Sequence, residues 1–263
     1  MQANAKQTAL LPGFGVLFGK ELLEARRSKR IIIFLVIMTG ALVLVPVIGY
    51  LRIEHFGTGA RHEILSDDMR GMLAAWSALV GYLGSLMVIA STVDAMTRER
   101  SLGISAWILT KPVSRPSYVL AKASAHTAIN IVTLVLIPTA VWLAITVVLF
   151  SGVPASRMLL AAGILSIEVF FLSFVTIALG VPFRSVTPVS LVALAVWFVP
   201  NLVPAIGSLN WTYHILPSYL PRAAVSAAID EMSWPTLTVP LAAVGTAIVL
   251  TLLVLDIRVP LVA

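Results

Sequence analysis

Glu168 stands in the middle of an unbroken apolar run over 158–181. A charged carboxylate at the centre of a bilayer costs at least about 2.5 kcal/mol, so the residue calls for a polar partner or for protonation. Asn130 and His126, on the apolar run 123–150, are the candidate partners, because an antiparallel neighbour of that length brings Asn130 near the depth of Glu168. Two uses follow: a hydrogen bond between helices, or acid–base chemistry by Glu168 and His126. An enzyme needs several convergent polar groups, and the apolar runs supply few others. No catalytic set is assigned.

Two further patterns imitate known chemistry and fail. Gly13, Gly15, Gly19 and Lys20 resemble a phosphate loop, but GxxxxGK[ST] requires glycine where Phe14 stands and Ser or Thr where Glu21 stands. His62-Glu63 begins like a zinc-protease helix, yet Ser66 occupies the place of the second histidine. A weak metal contact among His55, His62, His214, Glu54 and Glu63 is outweighed by ordinary solvated loops, and no metal site is assigned. The chain has no cysteine, which excludes disulfides, thiolate zinc sites and cysteine nucleophiles.

The elements that would position these residues are set by solvent. Of 263 residues, 59% are hydrophobic and 11% charged, well below the roughly 25% charged of a soluble domain. Six runs, 31–51, 72–93, 123–150, 158–181, 188–207 and 236–255, are each long enough to cross a hydrocarbon core of roughly 30 Å. None alternates with period two, so helices are expected rather than a barrel. The fold class is an all-α membrane protein of six transmembrane helices, with 1–30 as a leader and interfacial helix and 31–263 as the membrane domain. Pro138 predicts a kink in the third helix or its extension beyond the bilayer.

Thirteen of the 18 Lys and Arg residues fall on one side of such a bundle and five on the other. The positive-inside rule then places both termini in the cytoplasm. The net charge of +6 serves orientation, since no aromatic-interleaved basic face points to nucleic acid. The charged stretch 20–30 and the long apolar run after it argue against a cleavable signal. Before the first crossing, Phe14, Leu17, Phe18, Leu22 and Ala25 recur at helical spacing, with Lys20, Glu21, Glu24 and Arg27 on other faces. That pattern reads as a helix lying on the inner leaflet; the plainer alternative is a disordered basic leader.

The inner loop 94–122 is the most informative stretch. Leu102, Ile104, Ala106, Trp107, Ile108 and Leu109 lie between charged flanks, and Pro112 ends the helical pattern. A short amphipathic helix here would offer a hydrophobic surface to a cytoplasmic partner, with Trp107, Arg98 and Arg100 in the composition of an interface.

Arg98, Glu99, Arg100, Gly103, Leu109, Thr110, Pro112, Val113, Ser114, Arg115 and Lys122 resemble the loop of permeases of the ABC-2 type exporter superfamily. Ile104 departs where Thr is common and Ala121 where Gly is common. Lys20-Glu21-Leu22 and the basic run after it resemble the family's elbow helix. The resemblance implies that Arg98 to Thr110 forms a coupling helix docking on a separate ATPase, which would bring ATP and magnesium; this chain needs no cofactor of its own. It also implies a second permease copy, a plasma or inner membrane location, and an outer gate in the segment 208–235. There Trp211, Tyr213, Tyr219 and Trp234 form an aromatic belt and 221–232 reads as a short helix along the membrane.

Ser77, Gly81 and Ser85 recur every four residues and form a small-residue stripe for close helix approach, either within the chain or at a dimer seam. Transport is the leading function, against an intramembrane enzyme using Glu168 and His126 or a membrane scaffold or channel. The cargo is unreadable, although apolar helices suit an amphipathic molecule better than a highly charged one.

Overall fold

A backbone surrounded by lipid must satisfy its own hydrogen bonds, and long runs of Leu, Ile, Val and Ala do so as helices. The computed structural model describes residues 12–56, 61–111, 113–150, 155–183, 185–202, 217–229, 244, 245 and 248, and at 53, 55, 56, 61–68, 106 and 109 the backbone alone. Among the described residues all regular structure is helical. Four helical segments among the described residues are long and apolar enough to cross a membrane: Lys29–Arg52, Met69–Ser101, Arg115–Leu149 and Ala155–Leu179. The fifth expected span appears as the shorter apolar helix Val186–Leu202. The sixth, 236–255, lies outside the described residues.

In chain order the helices are α1 (Phe14–Arg27), α2 (Lys29–Phe56), α3 (Arg61–Ala78), α4 (Gly84–Thr92), α5 (Thr97–Ser101), α6 (Ile104–Leu109), α7 (Arg115–Asn130), α8 (Ile137–Leu149), α9 (Ala155–Leu179), α10 (Val186–Leu202) and α11 (Leu220–Ala228). α3 starts well before the apolar run that predicted it, because the charged residues from Arg61 to Arg70 continue the same helix. Hydropathy marks only the part of a helix that meets lipid.

Two π-helical turns join elements that would otherwise be single rods: Leu79–Leu83 between α3 and α4, and Ile131–Leu136 between α7 and α8. The second has a local cause. Pro138 has no N–H to give to the preceding turn, and the wider turn absorbs the mismatch. The combined segment Arg115–Leu149 has 35 residues and is about 52 Å long, so it extends beyond the bilayer core as the sequence suggested.

α9 is the central post, contacting α4, α7, α10 and α11, while α1 lies along α7 and α2 along α8. In lipid the gain from such contacts is packing rather than expulsion of water. The larger core joins Met38, Leu42, Trp76, Trp142, Leu165 and Leu220, with the Trp76 and Trp142 rings 6.1 Å apart. A smaller core of Leu17, Met96, Ile108, Tyr118, Phe174 and Ile177 closes the end of the bundle that carries the charged blocks. Ile32, Val36, Leu44 and Ile48 of α2 face outward, an apolar exterior suited to lipid.

Candidate functional site

At the charged end, α1 presents Leu17, Glu21 and Ala25 to its neighbour, one residue per turn. Gly13, at φ 82°, starts the helix in a conformation that other residues adopt at a cost. Gly15 and Gly19 lie inside α1, so the glycines of the imitation phosphate loop form no cradle. Leu17 and Ala25 face inward as expected, and the departure is Glu21, expected on another face and found buried between them. The reason lies on α7, where Lys122 reaches the Glu21 carboxylate at 2.6 Å, both side chains nearly inaccessible. A buried carboxylate is tolerated when its charge is met. Of the other elbow residues, Phe14 and Phe18 stack at 5.9 Å and flank the smaller core, and Leu22 is half-buried.

Glu99, on α5, enters the same network. Lys122 lies 3.1 Å and Lys20 3.2 Å from it, and the Tyr118 hydroxyl donates to its other oxygen. Ser105 of α6 and Tyr118 share a hydrogen bond of 3.3 Å. Lys20 also meets Glu21 at 2.9 Å and Glu24 at 3.3 Å. Burial opposes the charge on Lys20, but the hydrogen bond and charge of Glu21, then those of Glu99, outweigh it and hold its pKa above the ordinary lysine value. The carboxylate oxygens of Glu21, Glu24 and Glu99 come within 4.8 Å of one another, and the Lys20 ammonium serves as their cation.

The loop residues expected to lie together on one surface divide into two groups. Glu99 is only 8% exposed. Arg100 donates to the carbonyls of Val181 at 2.7 Å and Phe183 at 3.3 Å, capping the end of α9. Beside it Met96 packs so closely on Gly180 that a Cβ there would lie 2.8 Å from the Met96 Cβ. Arg98 and Arg115 are exposed. Gly103, at φ 71°, turns the chain from α5 into α6, where Leu102 and Trp107 are 63% and 64% exposed. Ile108 and Ser105 face inward. Lys111 lies over the Trp107 ring at 5.0 Å, and Thr110 donates to the Trp107 carbonyl. Leu109 ends α6; Pro112 lies outside the described residues.

Within the apolar runs, Glu168 accepts a 3.0 Å hydrogen bond from Ser85 of α4. The expected partners on α7 are elsewhere. The Asn130 carbonyl accepts from Ser91 at 3.1 Å and its amide donates to Ser173 at 3.5 Å. Ser173 is five residues beyond Glu168 along α9, about 7.5 Å of rise, so the depth estimate was off by more than a turn. His126 lies nearer the charged end, beside Asp94 and Glu24, and the structure does not join it to Glu168. The signal that could have found Ser85 was the small-residue stripe. Ser77 donates to the Pro221 carbonyl, and a Cβ on Gly81 would come 2.5 Å from Pro221 and 3.6 Å from Glu168. The stripe therefore serves contacts within the chain, to α9 and α11. His55, His62 and His214 fall outside the described side chains.

The sequence matches the family model described as ABC-2 family transporter protein over residues 16–231. No curated protein matches it. The matched stretch contains most of α1, both halves of the inner loop, the Glu168 contacts and α11, and the chain belongs to this family: it is a membrane protein, the permease component of an ABC transporter.

Proposed function

We propose that this ABC-2 permease is the membrane half of an ATP-driven exporter, and that α6 is where a separate ATPase docks. The observation that carries the reading is the exposed apolar pair formed by Leu102, in the turn before α6, and Trp107 on α6, next to α5, which is tied to α1, α7 and α9 through Glu99 and Arg100. A large exposed aromatic side chain with a lysine over its ring has the composition of an interface anchor. A push on α6 would reach the membrane helices through bonds already made. Glu99 and Arg100 would transmit the push, while Trp107, Arg98, Thr110 and Arg115 would meet the partner. In this reading both termini are cytoplasmic, α1 is the elbow, two copies pair around the pathway, and α11 belongs to its outer gate. ATP and magnesium belong to the partner.

The test is coexpression with an ABC-type ATPase encoded beside this chain. The permease purified alone should hydrolyse no ATP, and the copurified complex should hydrolyse it and move an amphipathic fluorescent cargo in vesicles. Failure of every neighbouring ATPase to copurify would sink the proposal.

A further inference from the structure

Two cavities of opposite character meet at one ion pair. Arg30, at the start of α2, bonds Asp94, just past α4, at 2.8 Å. On one side lies a cavity of about 640 Å³ between α2, α4 and α10, with apolar walls that include Phe34, Leu86, Ala90, Val186 and Leu194. On the other lies a polar cavity of about 140 Å³ bounded by α1, where Glu24, Ser91, Arg98 and His126 face the same space. Arg30 and Asp94 line both. The Nδ1 of His126 is buried and has no hydrogen-bond partner among the described residues, the kind of orphan that a native structure rarely leaves without a reason.

The two linings constrain an occupant. A purely polar molecule leaves the aliphatic walls unfilled, and a purely apolar one leaves the His126 imidazole without a polar partner. The site lies at the charged end of the spans, at the level of lipid headgroups. Its polar half offers both signs: Arg30 and Arg98 suit a phosphate, and Glu24 and Asp94, each paired with one cation already, keep carboxylate lone pairs for the N–H donors of an ammonium. We infer that this paired cavity binds a zwitterionic phospholipid with a primary amine, a phosphatidylethanolamine, its headgroup over the Arg30–Asp94 pair and part of one acyl chain between α2, α4 and α10. This site does not depend on the transport reading.

The probes are phosphatidylethanolamine, phosphatidylcholine and phosphatidylglycerol, each added to the delipidated, purified chain and followed by native mass spectrometry. Trimethylation removes the N–H donors and glycerol removes the positive charge, so the ethanolamine lipid should bind about tenfold more tightly than either. Ala90→Trp, at an exposed position of the apolar half, should abolish that preference. Leu159→Trp, at an exposed position on α9, should keep it and controls for folding. Asp94→Asn should reduce the preference for ethanolamine over choline. Equal binding of the three lipids, tighter binding of choline or glycerol lipid, or an unchanged preference in Ala90→Trp would overturn the assignment.

Discussion

α5 and α6 are neighbours separated by Leu102 and Gly103, and they reverse the usual arrangement of charge and oil. In α5 the charged Glu99 is 8% exposed; in α6 the indole of Trp107 is 64% exposed. Length and composition do not explain the difference. Glu99 goes in because three groups from other helices, Lys20, Lys122 and Tyr118, are there to meet it. Trp107 stays out because α6 is one short turn beyond the bundle, and the inward positions of that turn are already taken by Ser105 and Ile108. A charged loop can thus be built with its charges as the mortar and its apolar residues as the surface, which is the arrangement an attachment point requires.

The comparison can be broken most severely on the α5 side. Lys122→Met or Glu21→Leu alone unbalances a buried network in which Glu21 keeps only Lys20, or Lys122 only Glu99, and should destabilise the protein by about 3 kcal/mol, the lower end for a broken buried pair. The double substitution should recover much of that loss, because it removes one charge of each sign and restores the balance of the network. Thermal unfolding in detergent, followed as a double-mutant cycle, measures the coupling; additive losses would mean that the pair is not the anchor.

On the α6 side the expectation is opposite. Trp107→Ala should shift stability by no more than about 0.5 kcal/mol, as for exposed positions generally, while weakening ATPase binding by about 2 kcal/mol, close to thirtyfold. Binding to the ATPase by titration and the unfolding midpoint of the same preparation separate the two quantities. A variant that unfolds early yet binds normally would place Trp107 in the fold instead of the interface.

The smallest effect belongs to the joint itself. Gly103→Ala meets no neighbouring atom among the described residues, so its cost is the backbone strain, about 1 kcal/mol. Gly103→Asn should cost less, since Asn tolerates the left-handed conformation. Equal midpoints for wild type and Gly103→Ala would show that the positive φ is not held in solution.

Much of this organisation was legible in the sequence. The apolar runs announced the membrane helices because hydropathy acts on each residue separately, and Gly103, Trp107 and Thr110 were recognisable by their place in the loop. What stayed hidden needed a second helix to define it. Nothing in α1 says that Glu21 faces inward; only Lys122, 101 positions away, does. Arg100 reads in the sequence as part of an interface with Trp107 and Arg98, and only the end of α9 supplies the carbonyls that draw it inward. Glu168 was found, but its partner was sought among amides and imidazoles at an estimated depth, whereas a serine on a stripe already noticed holds it.

That stripe also depends on arithmetic along the chain. In an α-helix each step of four residues overshoots a full turn by about 40°, so a row of fourth residues winds slowly off one side. Ser77 and Ser85 are two such steps apart, yet they engage Pro221 and Glu168 on either side of Gly81. The turn between them is the π-helical Leu79–Leu83, whose wider winding takes up one extra residue and offsets the drift. The alignment is therefore stored in a residue count as well as in side chains: the segment works as a phase corrector, and Ser85 keeps its bearing on Glu168 through the number of residues that precede it.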